Sequence, residues 1–172
     1  MIALIAAAVI GQQSPYAPLT GTAPELVGSQ WLNVDPARPM PTLAARRGFP
    51  TLVAYWTFAC HNCQANYAAY DRIYAAFKPK GVELFAVHTP EIPIERDPKK
   101  VEAHIKEKGM KYPVLIDNSG ENWQRWKQSV WPTIYAIDKK GRVRRAWVGE
   151  LAWKGKRGEE ELANYLRVLL AE

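Results

Sequence analysis

Apolar residues occur along this chain in two spacings, which predict strands alternating with helices. Mostly apolar runs of strand length occupy Thr51–Trp56 and residues 82–88, and such runs are typical of strands buried on both faces of a sheet. Between them, tyrosines and a phenylalanine at helical spacing predict a helix over residues 60–78, which ends at Pro79 and Gly81. A strand, a crossover helix and a second strand of this kind form a parallel, right-handed unit.

The second half of the chain continues the alternation with shorter elements. Asp97 before Pro98 is a typical helix start, and Val101 and Ile105 mark one apolar face until Gly109 ends the helix. A short turn of sequence Asp-Lys-Lys-Gly predicts an antiparallel hairpin between the strands on either side. The other predicted elements are an edge strand in residues 28–34, a strand at 113–117, a brief helix around residues 123–126, hairpin strands Thr133–Ile137 and Arg142–Val148, and a last helix from Glu159.

The composition indicates one globular domain and narrows the set of partners. The 172 residues are 48% hydrophobic and 23% charged, which suits a domain with an ordinary core. The formal charge of +6 arises largely from residues 139–145 and 154–157, which we expect to be solvated hairpin and loop positions. No nucleic-acid recognition module accompanies these charges, so we expect no nucleic-acid partner. We also expect a monomer.

The first residues differ from the rest and divide the chain into three predicted regions. Residues 1–11 form an apolar run that is too short to span a bilayer comfortably. We expect an export signal or a weak membrane anchor, which would place the protein outside the cytoplasm, in the periplasm or a similar compartment; a buried N-terminal helix is the alternative. Residues 12–27 are rich in Pro, Thr, Ala and Gly and predict a linker, while residues 28–172 form the domain.

The chain has only two cysteines, and they lie where the first long strand meets its helix. Cys60 and Cys63 end the run TLVAYWTFACHNC. The first turn of a helix has unpaired N–H groups and a partial positive charge, so it lowers the pKa of a thiol placed there. We therefore expect a reactive, exposed Cys60 and a shielded Cys63 one turn further on, where it can attack a mixed disulfide at Cys60.

Two longer stretches, together with the order of the elements, resemble the thioredoxin superfamily over residues 28–172. They are YWTFACHNC and SVWPTIYAID. The segment LVGSQWLN and an insert before the hairpin are similar to the exported TlpA-type redoxin branch, and AVHTPEIPIERDP with YPVLIDN resembles the thioredoxin-like domain of DipZ-type proteins. The resemblance implies an α/β thioredoxin fold. This fold has three layers (α/β/α) with a mixed central sheet, and here it would carry an N-terminal strand extension and that insert.

The resemblance also implies roles for individual residues. Cys60 would be the nucleophile and Cys63 the resolving thiol, and the two would form a redox-active disulfide. Pro132 would be a cis-proline facing them, with the backbone of Trp131 pairing with an extended partner segment. Trp56 would pack beside the pair, although an ordinary core aromatic is an equal alternative. The implied partners are protein thiols and disulfides and an upstream electron donor or acceptor protein, with no organic cofactor and no metal.

Neighbouring polar residues leave the direction of electron flow and the proton acceptor open. His61 and Asn62 lie between the cysteines; a protonated His61 would favour the Cys60 thiolate and an oxidising couple, whereas an exposed histidine would have no such effect. Many thioredoxins have a buried acid where this chain has Ala54, and some TlpA-type relatives have a glutamate where it has Asn66. Either Glu91, in the loop after the second core strand, takes part, or water transfers the proton.

Three functions are compatible with these sequence features. The leading hypothesis is a thiol:disulfide oxidoreductase that acts on protein substrates. A thiol peroxidase is the second, because Thr57 and Cys60 match part of the TxxC pattern of related redoxins, although Val53 replaces the upstream proline of that motif. The third is a metal-binding or carrier module. Its candidate ligands are Cys60, Cys63 and one of His61, His88 and His104.

Overall fold

A mixed sheet with seven strands forms the centre of the computed structural model, which describes residues 19–172. The strands are β1 (Gly21–Thr22), β2 (Trp31–Leu32), β3 (Thr51–Trp56), β4 (Glu83–His88), β5 (Val114–Ile116), β6 (Thr133–Ile137) and β7 (Arg142–Val148). The helices are α1 (His61–Gln64), α2 (Tyr67–Phe77), α3 (Pro98–Lys108), α4 (Glu121–Arg125) and α5 (Gly158–Ala171).

The strand order across the sheet is β1-β7-β6-β3-β4-β5-β2. Strand β4 is parallel to both β3 and β5, and every other neighbouring pair is antiparallel. Because β3 lies in the middle, its carboxyl end is flanked by other strands on both sides. The predicted mixed sheet and the predicted parallel pairing of the first two core strands are confirmed.

Alternate residues of β3 enter two separate cores, one on each face of the sheet. Leu52 and Ala54 belong to a core that also contains buried residues of α2, α3 and α5. Val53 and Tyr55 belong to the opposite core, which includes Trp126 at the end of α4. Successive side chains of a strand point to opposite faces, so this mostly apolar run is consistent with a strand that is buried on both faces of the sheet.

The predicted helix ends are confirmed for α3. Asp97 caps the helix, because its carboxylate accepts the backbone N–H of Lys99 at 2.9 Å. Gly109 follows the last turn with φ of 69°, a left-handed conformation that glycine adopts without steric cost. The short hairpin turn is also confirmed, since the N–H of Gly141 donates to the carbonyl of Asp138 at 2.8 Å.

One predicted element is wrong in detail. The helix predicted over residues 60–78 is divided into α1 and α2 by a turn at residues 65–66. The buried Asn66 side chain accepts the N–H of Leu151 at 2.9 Å and donates to the carbonyl of Gly149 at 3.1 Å, and these partners are distant in sequence. Within the predicted linker, Gly21 pairs with Val143 of β7.

The N-terminal prediction falls largely outside the described part of the chain. The export signal or anchor at residues 1–11 lies entirely outside it, as do residues 12–18 of the predicted linker. Within residues 19–172, no helix has both the length and the apolar character needed to cross a membrane.

Helix α5 offers a direct test of this packing. Leu166 is fully buried in the first core, so Leu166→Ala should lower the free energy of unfolding by about 2–5 kcal/mol. Val168 in the same helix is 54% exposed, and Val168→Ala should change the free energy of unfolding by less than about 0.5 kcal/mol. Urea denaturation of both variants measures the difference. Equal losses of stability in the two variants would contradict the placement of Leu166 on the buried face of α5.

Candidate functional site

Cys60 lies at the junction between β3 and α1. It is the N-cap residue of α1, with an extended backbone conformation, and its Sγ accepts the backbone N–H of Cys63 at 3.2 Å. Its carbonyl accepts the N–H groups of Cys63 and Gln64, both at 3.1 Å. The sulfur therefore occupies the position at which capping oxygens usually stabilise a helix start, next to unpaired N–H groups that favour a negative charge.

The two thiols differ in burial and in acidity. Cys60 is half-buried, whereas only 1% of Cys63 is exposed. A hydrogen bond from the Cys63 side chain lowers the pKa of Cys60 to about 7 in spite of the opposing effect of burial. The same hydrogen bond, followed by burial, raises the pKa of Cys63 well above its usual range. The arrangement can thus provide one thiolate and one protonated thiol at neutral pH.

Pro132 lies at the same end of the sheet as the cysteines. The Trp131–Pro132 peptide bond is cis, so this conformational prediction is confirmed. Thr133 of β6 pairs with Tyr55 of β3, and this register brings the preceding residues close to the end of β3. The carbonyl of Pro132 accepts the N–H of Gly149 at 2.8 Å.

Trp56 lies within the core behind the pair. It is 2% exposed and belongs to the same buried cluster as Cys63. Its ring centroid lies 4.9 Å from that of His88 and 5.7 Å from that of Tyr67, both in edge-to-face geometry, which is favourable for aromatic rings. Trp56 therefore has the position expected of a core aromatic and also contacts residues around the site.

The three histidines lie in different environments. His61 is exposed in α1, beside the exposed Asn62. His88 is fully buried, and burial lowers its pKa to about 4. His104 is half-buried and its Nε2 lies 3.2 Å from the hydroxyl of Tyr67. Within residues 19–172, no three His, Cys, Asp or Glu side chains are grouped closely enough to hold a metal ion.

The buried carboxylate near the cysteines belongs to Glu95, which the sequence analysis did not identify. Glu91 is exposed, although its charge opposes thiolate formation at Cys60. Glu95 is fully buried, and its Oε1 accepts the N–H of Ala59 at 2.7 Å. Glu95 also accepts the N–H of Ile92 at 3.0 Å, at the start of a short 3₁₀ helix at Pro93–Arg96. Pro93 in the first position of that helix is the one signal of a helix start that the sequence offered there.

Sequence comparisons support the resemblance. Residues 40–146 match the AhpC/TSA family. DipZ of Mycobacterium tuberculosis is 36% identical over 131 residues, which are 76% of this chain and 19% of that protein. The thiol-disulfide oxidoreductase ResA of Bacillus cereus is 30% identical over 121 residues, or 70% of this chain and 64% of that one. The chain thus spans about a fifth of the DipZ relative.

Solved structures with the same architecture cover most of the chain. A thioredoxin-like superfamily protein superposes with a TM-score of 0.76 and 25% identity, covering 88% of this chain and 97% of that one. A thiol-disulfide isomerase from Corynebacterium glutamicum gives a TM-score of 0.68 at 19% identity and covers 91% and 97%. The predicted thioredoxin fold is therefore confirmed.

The pKa difference between the cysteines predicts how they react with iodoacetamide. The alkylation rate of Cys60 in the reduced protein should rise with a midpoint near pH 7 instead of the usual value near 9. In a Cys60→Ser variant, Cys63 should still react slowly over the same pH range, because only 1% of the residue is exposed and burial by itself raises the pKa of its thiol. Mass spectrometry of the alkylated protein measures both rates. A Cys60 midpoint near pH 9 would contradict the proposed thiolate.

The same shift predicts the pH dependence of stability for the reduced protein. The pKa of Cys60 is lower in the folded state than the ordinary value of 9.0. The contribution of this group to stability should therefore be fully present above about pH 9 and lost as the pH falls through 7. Urea midpoints of the reduced protein between pH 6 and 9 measure it, and Cys60→Ser should remove this component.

Proposed function

The chain belongs to the AhpC/TSA family, and on that basis we propose that it is a thiol:disulfide oxidoreductase acting on protein substrates. The observation that carries this proposal is the asymmetry between Cys60 and Cys63 at the start of α1: one thiol is accessible and acidic, and the other is buried and protonated. Such a pair has the two properties that disulfide exchange needs, a nucleophile and a protected resolving thiol.

In the reducing direction, the reaction has two steps. The Cys60 thiolate attacks one sulfur of a substrate disulfide, which forms a mixed disulfide and releases the other substrate sulfur as a thiolate. Cys63 then loses its proton and attacks Cys60 Sγ, which breaks the mixed disulfide and releases the second substrate thiolate. The substrate gains two electrons, and the protein is left with a Cys60–Cys63 disulfide. The oxidising direction is the reverse of these steps.

We further propose that an extended segment of the substrate lies along Trp131 and Pro132. The pairing of Thr133 with Tyr55 supports this position, because it brings Trp131 and Pro132 to the end of the sheet that carries Cys60. Backbone pairing with an extended segment binds many different sequences, since it uses groups that every residue has. An upstream protein that restores the redox state of the pair would use the same surface.

We also propose where the protein acts and which residues form its active domain. An exported protein, in the periplasm or an equivalent compartment, is supported by the apolar run at residues 1–11, through a cleaved signal or a membrane tether. The domain responsible for the activity would include residues 28–172, with the preceding β1 as part of its sheet.

Substitution of each cysteine tests the mechanism. Cys60→Ser should abolish the reduction of insulin disulfides, because the nucleophile is lost. Cys63→Ser should retain the first step and accumulate mixed disulfides, since no resolving thiol remains to release them. Turbidity of reduced insulin measures the activity, and non-reducing electrophoresis measures the trapped species.

The outcome also separates the competing functions. Wild-type activity in both variants would refute dithiol exchange. Rapid consumption of hydrogen peroxide that persists in Cys63→Ser would favour the thiol peroxidase, which needs only the Cys60 thiolate for the peroxide step.

A further inference from the structure

The loop after β4 places a buried carboxylate against the turn that precedes Cys60. Glu95 is fully buried. One carboxylate oxygen, Oε1, accepts the N–H of Ala59 at 2.7 Å, and the other, Oε2, accepts the N–H groups of Glu91 at 2.7 Å and Ile92 at 3.0 Å. The hydroxyl of Thr57 also stabilises the charged form of Glu95 by hydrogen bonding. A single side chain therefore joins the loop at residues 91–92 to the turn that carries Cys60.

These donors keep Glu95 ionised. Burial alone would raise the pKa of a carboxyl group, but the hydrogen bonds from Thr57, Ala59, Ile92 and Glu91 outweigh it and hold the pKa of Glu95 below its ordinary value. A carboxylate that accepts several N–H groups is a weak base, so Glu95 is poorly suited to take the proton of a thiol. Its charge is instead a permanent feature of the site at neutral pH.

Within residues 19–172, no cation balances this charge. Glu95 forms no ion pair there. The titratable groups facing it are Cys63 of α1, Tyr67 of α2, His88 of β4 and His104 of α3. Burial lowers the pKa of His88 to about 4 and also lowers the pKa of His104, so both imidazoles are mainly neutral above pH 7.

A buried charge without a counterion is costly, and proteins retain such groups mainly at functional sites. We propose that Glu95 is a positioning residue of the dithiol site, which holds the turn before Cys60 in place and whose negative charge biases the couple toward the disulfide. This inference rests on the proposed function and adds a direction to it: the protein would be a donor of electrons to substrate disulfides.

The charge of Glu95 biases the couple because it acts on only one of the two redox states. The reduced pair contains a thiolate at neutral pH, whereas the disulfide is uncharged. Glu91 already opposes the Cys60 thiolate, and the carboxylate of Glu95, bound to the N–H of Ala59 next to Cys60, adds a second negative charge close to the pair. Destabilising the thiolate of the reduced form lowers the reduction potential. The N-terminal end of α1 acts in the opposite sense, so the potential reflects the balance between the helix and the carboxylate.

Equilibration with glutathione tests the effect of the charge. The protein dithiol reacts with glutathione disulfide to give the protein disulfide and two glutathione thiols, and the equilibrium constant is obtained at pH 7 from the oxidised fraction by alkylation and mass spectrometry. Glu95→Gln should lower this constant at least threefold, because removing the charge stabilises the thiolate. Glu102→Gln is the matched control: it removes one charge from a half-exposed position in α3 that is ion-paired with Lys106 and should change the constant by less than twofold.

A second variant separates charge from position. Glu95→Asp keeps the charge but shortens the reach to Ala59, so its equilibrium constant should stay within twofold of the wild type while hydrogen exchange of the Ala59 amide becomes faster. A folded Glu95→Gln with an unchanged constant would overturn the electrostatic role. If Glu95→Gln does not fold, Glu95→Asp decides: an unchanged Ala59 exchange rate or a constant altered more than twofold would overturn the proposal.

The wild-type measurement keeps this inference separate from the proposed function. If the wild-type cysteines never form a disulfide at any ratio of glutathione to its disulfide, dithiol exchange itself fails. If the wild type equilibrates normally and the Glu95 variants behave like it, only the role of Glu95 fails.

Discussion

The hydrogen bond between the two cysteines is the interaction on which the site depends. Cys63 donates its backbone N–H to Cys60 Sγ at 3.2 Å, and its thiol also stabilises the Cys60 thiolate. This contact forms only because Cys60 is the N-cap of α1 and Cys63 is in the first turn. The hydrogen bond between the two thiols lowers the pKa of Cys60 and raises that of Cys63. This one contact therefore distinguishes the nucleophile from the resolving thiol.

The helix that provides this geometry is short, and buried polar side chains hold it in place from both sides. Before the cysteines, Glu95 binds the N–H of Ala59. After them, Asn66 binds the backbone of Gly149 and Leu151 beyond β7. Both side chains are buried, where a polar group is favourable only when its hydrogen bonds are satisfied. The pair is thus fixed by contacts from segments distant in sequence.

Elements that depend on contacts between adjacent residues could be predicted from the sequence, and those that depend on distant contacts could not. β3, α3 and the hairpin were predicted well because burial on two faces, helix capping and a short turn are written in adjacent residues. The break between α1 and α2 was missed, since it depends on the loop after β7. Glu95 was overlooked in favour of Glu91 because neighbouring loop glutamates look alike until packing buries one of them.

Adjacent residues are enough to predict the α/β alternation and the placement of both cysteines at a strand-to-helix junction, because periodicity and spacing act over a few residues. The resemblance to the thioredoxin superfamily is likewise carried by short motifs in the sequence. Folding is needed to establish which carboxylate is buried beside the thiols, which histidines are kept neutral and where the helix is interrupted. Desolvation and electrostatic effects depend on distance in space, and residues far apart along the chain, such as Ala59 and Glu95, become neighbours only after folding.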